Sequence, residues 1–227
     1  TSAAGDVGTY NQAWTDSGDR ITSTLQTSLV VDPPDGRVPV KPESMATKQS
    51  YEKQLGDSPE FMSPWDRCIT RGVPGGFFPA GYNNAYQIIQ TPGYVAIHYE
   101  MIHNTRIIPM DGRPHLPSNV RTWDGDPRGH WEGDTIVVDT VGLKDAPWTW
   151  LDTAGHQHSD ELHVIERFER VPEGISYQFT VEDPKMYKEP WTLKRLMTPL
   201  KLVPGLPELL EYVCSENNRD VEHLVGK

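Results

Sequence analysis

The sequence contains few cysteines and no long apolar run, and each shortage narrows the classes of protein to consider. Its two cysteines, Cys68 and Cys214, form no CxxC pair, so a cysteine-ligated zinc site is not expected. No apolar run approaches the ~20 residues that span a bilayer, so membrane insertion is not expected. Basic residues are also scarce, since 21 Lys and Arg against 32 Asp and Glu give a net charge of −11. Nucleic-acid binding, which needs a basic surface, is therefore not expected.

Familiar cofactor and nucleophile motifs are missing as well. The sequence has no P-loop, no GxGxxG, no GxSxG elbow, no CxxCH haem motif and no HExxH zinc motif. Nucleotide, NAD, haem and serine-hydrolase chemistry are therefore not expected, and no cofactor is predicted. A divalent metal stays an alternative, because His156 and His158 stand two residues apart, a common spacing for metal ligands.

Alternation of apolar and polar residues is the main structural signal. It predicts six strands, separated by turns rich in Gly, Pro and Asp, at residues 85–90, 93–103, 105–109, 135–140, 161–170 and 175–182. An earlier strand is predicted at 27–31 and a polar surface helix at 42–55. The pattern predicts an all-β fold, a single-domain antiparallel β-barrel or sandwich that is calycin-like, with one or two short surface helices. The domain would span residues 27–227 and follow an irregular segment at 1–26.

Two roles are open for Cys68 and Cys214. A disulfide between them would close a long loop and, on the chain-entropy description, would stabilise the fold by roughly 4–5 kcal/mol. The alternative is two buried free thiols, which are common in protein interiors. An oxidising, exported location would favour the disulfide.

Several long runs carry a likeness to known sequences. They include DRCITRGVP, RIIPMDGRPH, WEGDTIVVDT and WLDTAGHQHSD, and the likeness extends from about Tyr10 to the C-terminus. On these runs the chain resembles an uncharacterised family of exported bacterial proteins from soil and water. The resemblance implies a soluble, β-rich domain. It also implies a periplasmic or secreted location, with the leader absent from this chain.

A first group of ionisable residues lies along and after the strand predicted at 93–103. Alternation places Tyr99 and His103 on its apolar, inward face and Glu100 on the opposite face, as a ligand-binding candidate. His103, at the end of the inward face, is a candidate general base that Tyr99 could orient. The alternative is a buried histidine whose ring is satisfied by a backbone carbonyl. Arg106 is a candidate for stabilising an oxyanion.

A second group of histidines lies downstream. One interpretation is acid–base chemistry in which Asp152 orients His158. Another is a metal held by His156 and His158 with a third ligand from elsewhere. The remaining interpretation is a polar loop. His156 and His163 are also ligand-binding candidates.

Aromatic residues and two further ionisable residues complete the candidates. Trp148 and Trp150 precede the second histidine group closely enough to stack against a ligand. His115 follows an Asp-Gly turn and is a further catalytic candidate. Asp183 ends the apolar face of the strand predicted at 175–182, where a carboxylate needs a partner or a proton. It is therefore a ligand-binding candidate, with simple strand termination as the alternative.

The histidine groups beside an apolar strand predict a cofactor-independent acid–base enzyme, a lyase, isomerase or hydrolase. Its substrate would be a small, partly hydrophobic molecule, aromatic, terpenoid or glycosidic, in a barrel cavity. Two alternatives stay open. One is a non-catalytic periplasmic protein that binds a small molecule through the same aromatic residues. The other is a metal-dependent hydrolase or lyase that uses His156 and His158. The sequence indicates no oligomeric state.

Overall fold

The computed structural model describes residues 27–54, 57–58, 61–80, 82–145, 149–152 and 154–200, together with Leu209, Tyr212 and Cys214. The strands in these residues are β1 Val30–Asp32, β2 Tyr86–Thr91, β3 Tyr94–Tyr99, β4 Thr105–Pro109, β5 Asp126–Glu132, β6 Thr135–Val141, β7 His163–Val171, β8 Gly174–Glu182 and β9 Trp191–Met197. Within the same residues, one α-helix, α1, spans Pro42–Glu52. The segment 1–26, predicted to be irregular, lies outside the described residues.

The strands form two antiparallel sheets. The larger sheet has the order β1-β9-β8-β7-β6-β5, and the smaller has the order β2-β3-β4. Neighbours in sequence are mostly neighbours in space, because tight turns join them. Glu132 of β5 pairs with Thr135 of β6, for example, so only two residues make that turn. Gly133, the first of them, has a φ of +60°, a conformation that favours glycine.

The core lies between the two sheets, which pack face to face as a sandwich. Alternation predicted this arrangement correctly: Val95 and Ile97 of β3 are buried, as are Tyr177, Phe179 and Val181 of β8. The predicted all-β antiparallel fold with a surface helix is confirmed. Of the two predicted architectures the sandwich is the observed one, since the sheets of the described residues do not close into a barrel.

Some predicted elements differ from the observed ones. The strand predicted at 93–103 ends at Tyr99, because the chain then turns through Ile102 and His103, whose φ angles are +62° and +46°. The helix predicted at 42–55 ends at Glu52. Its surface is polar and mostly exposed, as predicted. Strand β1 begins at Val30 rather than at residue 27.

Strands β5 and β9 were not predicted. Pro127 and Gly129 give β5 the composition of a turn, and Gly129 has a physical reason to be there. A Cβ at this position would lie 2.9 Å from the Cγ2 atom of Ile108 and still closer to the sulfur atom of Met110. In β9 the adjacent Lys194 and Arg195 interrupt the apolar alternation.

An irregular segment, residues 61–80, is anchored to the sandwich by aromatic side chains. Its 3₁₀ turn, Gly75–Phe77, inserts Phe77 into the core, where the ring lies 5.3 Å from that of Tyr99 and 4.6 Å from that of Tyr177. The same segment carries Cys68, which forms a disulfide with Cys214. Of the two alternatives for the cysteines, the structure has the disulfide.

No helix in the described ranges is long and apolar enough to span a membrane.

Candidate functional site

A small cleft with a volume of about 30 Å³ lies where three parts of the chain meet. The first part is the irregular segment at 63–75, the second is Trp123, and the third is a hairpin within residues 149–158. Three indole rings contribute apolar surface, and a guanidinium, a carboxylate and an imidazole contribute polar groups. The lining residues are Ser63, Pro64, Trp65, Thr70, Arg71, Gly72, Gly75, Trp123, Thr149, Trp150, Asp152 and His158.

The hairpin presents Trp150, Asp152 and His158 to the cleft. Trp150 pairs with Gln157 across it, and the Leu151 N–H donates to the His156 carbonyl at 2.7 Å. Asp152 stabilises the turn, because its Oδ1 accepts the N–H groups of Ala154 and His156 at 3.0 and 3.1 Å. This is the usual local chemistry of an aspartate at a turn, and it sets which side chains face the cleft.

Close backbone packing brings the irregular segment against this hairpin. Gly75 approaches the carbonyl of Leu151 so closely that a Cβ on Gly75 would lie 2.9 Å from that oxygen. A larger residue would push the two segments apart. Glycine therefore allows Arg71 and the hairpin to line the same cleft.

His158 is the best-placed proton acceptor in the cleft. Its Nδ1 lies 3.1 Å from the carbonyl oxygen of Ser159, which can only accept, so in the neutral ring Nδ1 carries the proton and Nε2 the lone pair. Nε2 has no hydrogen-bond partner among the described residues. Burial lowers the pKa of His158 below its ordinary value of 6.5, and the bond to Ser159 opposes this only in part. The ring is thus neutral at pH 7.

Asp183 positions the residue next to His158. It is 2% exposed, and its two oxygens accept the Ser159 N–H at 2.6 Å and the Ser159 hydroxyl at 2.8 Å. The same carboxylate accepts backbone N–H groups of Lys185 and Met186. These bonds satisfy the buried carboxylate, so no ligand is needed to explain its burial. They also hold the segment that carries His158 against the end of β8.

The predicted pairing of Asp152 with His158 is wrong. Asp152 Oδ2 lies 2.6 Å from Nδ1 of His156 instead, because the turn between them places both side chains on the same side. Asp152 still lines the cleft beside His158. His156 is half-buried and is not among the lining residues.

Arg71 is the cation of the cleft. It donates from Nη2 to the carbonyl of Phe78 at 2.8 Å, and its guanidinium lies over the Trp65 ring, 4.7 Å from the centroid. Burial lowers the pKa of Arg71 to about 10, so it stays charged at neutral pH. No carboxylate of the described residues forms an ion pair with it.

Four candidates from the first predicted group do not line the cleft. His103 is exposed in the turn after β3 rather than at the end of an inward face, so its predicted placement is wrong. Tyr99 is inward-facing as predicted, and burial raises its pKa. Glu100 is buried and accepts the Ala85 N–H at 3.3 Å.

Arg106, the fourth, lies in the core between the sheets. It is 2% exposed, and its Nη2 lies 2.5 Å from Glu166 Oε2 and donates to Thr140 at 2.7 Å. Burial lowers the pKa of Arg106, but the Glu166 carboxylate outweighs this and the net direction is upward. Arg106, the candidate for stabilising an oxyanion, is therefore a buried link between the sheets and does not line the cleft.

His115 and His163 belong to a separate network around Asp139. The Asp139 Oδ1 atom lies 3.3 Å from His115 Nε2 and 3.0 Å from His163 Nε2. The Nδ1 atoms face two further carboxylates, Asp126 and Glu182, each at 3.0 Å. Both nitrogens of His163 thus face carboxylates, and its pKa is raised, first by the bond to Asp139. Neither histidine lines the cleft.

The two tryptophan candidates and the metal alternative have different outcomes. Trp148 lies outside the described residues, whereas Trp150 lines the cleft. For the metal alternative, no three His, Cys, Asp or Glu side chains within the described part of the chain stand together in a way that suits a metal ion. His156 and His158 therefore have no third ligand there.

Sequence reasoning missed Arg71 and Trp65. Both lie in the irregular segment, where no periodicity marks a face. The available signal was composition, since residues 65–75 combine a tryptophan, two arginines, a cysteine and two glycines.

No protein-family model matches the chain, and comparisons with curated proteins and with solved structures found no match. The family resemblance inferred from the motif runs stays a prediction.

Proposed function

We propose that the cleft is the site of cofactor-independent acid–base catalysis on a small, partly hydrophobic molecule. His158 would take up and return the proton. The observation that carries the proposal is a neutral imidazole whose Nδ1 is held by Ser159 while Nε2 has no described partner, at the wall of a cleft with three indole rings. Lyase, isomerase and hydrolase reactions all use such a group.

The proton transfer follows from the fixed tautomer. Nε2 of His158 would accept a proton from a substrate C–H or from a water molecule, and the imidazolium would return it to the leaving or rearranging group. A lowered pKa keeps the ring in its basic form at neutral pH. The charges of Asp183 and Asp145 act in the opposite direction and favour the imidazolium while it exists.

Arg71 supplies the charge that the sequence suggested for Arg106. Removal of a proton next to a carbonyl, or attack on it, builds negative charge on oxygen. A guanidinium at the wall of the same cleft stabilises that charge. The indole rings of Trp65, Trp123 and Trp150 provide contact area for an apolar body.

An exported location is part of the proposal. The disulfide between Cys68 and Cys214 supports it, because such bonds persist in oxidising compartments. A non-catalytic binding protein is the second candidate, favoured by the three indole rings, which could hold a ligand without any chemistry at His158. A ligand that is bound stoichiometrically and recovered unchanged would identify it.

The test compares turnover by the wild type and by His158→Asn. The Asn amide can still donate to the Ser159 carbonyl but cannot accept a proton. Both proteins would be incubated with a panel of small aromatic and aliphatic esters, lactones and β-hydroxy ketones, and products followed by NMR. Any turnover should fall roughly 100-fold or more in His158→Asn. It should rise with pH through a value below 6.5 in the wild type, because the basic form is needed.

His130→Gln is the matched control, since His130 is exposed on β5 and does not line the cleft. It should keep full activity. Turnover that survives in a folded His158→Asn protein would refute the role of His158.

A further inference from the structure

Two arginines near the cleft have no acidic partner among the described residues, although acids outnumber bases in this chain. Arg71 donates to the carbonyl of Phe78, and Arg195 donates to the carbonyl of the neighbouring residue, Phe77. Neither forms an ion pair with a carboxylate of the described residues, even though the net charge is −11. A partly buried cation without a counter-ion is unfavourable, so this arrangement indicates an anion supplied from outside.

The donors of Arg71 are available to that anion. The guanidinium has several N–H groups, and the bond to Phe78 accounts for one of them. The Trp65 ring covers one face of the group, which leaves its edge for in-plane hydrogen bonds. A second cation stands nearby, because the Lys144 ammonium lies 4.5 Å from the centroid of the Trp123 ring, another wall of the cleft.

We infer that the ligand of the cleft is a carboxylate with a flat or short apolar body, bound through its carboxylate to Arg71. The inference rests on the proposed function in taking the same cleft as the ligand site, where Arg71 would hold the carboxylate as well as the charge that develops beside it. A planar guanidinium edge matches the two oxygens of a carboxylate, and the three indole rings match an apolar body of limited size. The volume of about 30 Å³ admits only part of the ligand, so the remainder extends into solvent.

Asp152 is the acidic residue among those that line the cleft, and both oxygens of its carboxylate already have hydrogen-bond partners. One oxygen faces His156 at 2.6 Å, and the other accepts two backbone N–H groups of the turn. These bonds offset the repulsion that an entering carboxylate would otherwise meet.

The test uses benzoate and its neutral isostere benzamide as probes. Binding to the wild type would be followed by NMR of the Trp indole N–H signals, assigned with single Trp→Phe variants. Benzoate should shift the signals of the cleft tryptophans. Benzamide should bind roughly tenfold or more weakly, as expected for the loss of a charge-assisted bond. This comparison needs no substitution, so it stands even where a variant fails to fold.

Three variants complete the test. Arg71→Gln should lose benzoate binding to the level of benzamide, and Arg71→Lys should keep an intermediate affinity, because it retains charge without the planar edge. Arg37→Gln, at an exposed position with no link to the cleft, should bind as the wild type does. Affinity should stay constant between about pH 6 and 8.5, because Arg71 stays charged there.

The inference fails if benzamide binds as well as benzoate, if benzoate does not bind, or if a folded Arg71→Gln protein keeps full affinity. Benzoate affinity that rises on acidification would also overturn it, since protonated His158 would then be the anion site. Turnover by His158→Asn tests the catalytic proposal, and benzoate affinity of Arg71→Gln tests the carboxylate inference. Failure of the carboxylate inference and failure of the catalytic proposal are thus read from different variants.

Discussion

Asp152 binds His156 and leaves His158 to a backbone carbonyl, although the two histidines stand only two residues apart. The Asp152 Oδ2 to His156 Nδ1 distance is 2.6 Å, and His158 Nδ1 lies 3.1 Å from the Ser159 oxygen. A catalytic histidine is often paired with a carboxylate, which raises its pKa. Here the histidine at the cleft has no carboxylate partner in the part of the chain that the structure describes, and its pKa is lowered.

The first prediction follows from that separation. Asp152→Asn should leave the pKa of His158 unchanged, because Asp152 is not among the groups that shift it. Asp145→Asn should lower it further, because the Asp145 charge raises it in the wild type. The measurement is an NMR titration of the His158 ring in the three proteins. A fall in the pKa of His158 in Asp152→Asn would contradict this prediction and would support the pairing of Asp152 with His158 that the sequence suggested.

A second prediction concerns the buried ion pair of Arg106 and Glu166. Arg106→Met alone should reduce the free energy of unfolding by about 3–5 kcal/mol, because it leaves the Glu166 carboxylate unpaired in the core. The double variant Arg106→Met with Glu166→Leu should recover most of this loss. Urea unfolding of the wild type, both single variants and the double variant measures the pairwise coupling. Equal losses in the single and double variants would show that the pair is not the stabilising unit.

The third prediction is a pH dependence of stability through His163. Its pKa is raised, so its contribution is fully present below the ordinary value of 6.5 and is lost as the pH rises through the raised value. The pKa of its partner Asp139 is lowered, so that contribution is present above 3.8 and is lost as the pH falls through the lowered value. The wild type should therefore exceed His163→Gln in stability most clearly between about pH 4.5 and 6, by up to about 1 kcal/mol.

Thermal or urea unfolding across pH 3–9 measures this difference, with His130→Gln as the control for an exposed histidine. His115 also faces Asp139, so replacing both His115 and His163 should lower the free energy of unfolding more than replacing either one alone. A stability difference that is flat with pH would contradict the assigned network.

A fourth prediction concerns the disulfide. Replacing Cys68 and Cys214 with Ser should lower the free energy of unfolding by about 2–5 kcal/mol, because the bond restricts the unfolded chain over a separation of 146 residues. Urea unfolding of the wild type with and without a reductant provides the matched comparison. Reduction should shift the wild type toward the double Ser variant and should leave that variant unchanged. If the reductant leaves the free energy of unfolding of the wild type unchanged, the disulfide does not contribute to stability as predicted.

Period-two alternation predicted those parts of the fold in which one face of a strand is buried. In β3 and β8 the inward residues are the apolar ones, and both strands were located from that pattern. Alternation carries no information about where a chain turns without Gly or Pro. The error at His103 has this origin, since Ile102 and His103 themselves adopt positive φ.

The site was predicted only in the parts that lie close together in sequence. Trp150, Asp152 and His158 share one hairpin, and their grouping is visible in the sequence. Arg71 and Trp65 reach the same cleft through Gly75 and the core anchor Phe77, which are contacts between distant segments. No local pattern encodes such a contact, so the sequence assigned the cationic role to Arg106, the arginine nearest the strand.

The cleft is assembled from residues 63–75, Trp123 and residues 149–158, and no one of these parts can form it alone. A ligand that fits it therefore has affinity for the folded chain and little for the unfolded one. By mass action, a ligand at one hundred times its dissociation constant adds about 2.7 kcal/mol to the free energy of unfolding. The melting temperature thus becomes a gauge of occupancy, with which a library of small carboxylates can be ranked before any reaction is known.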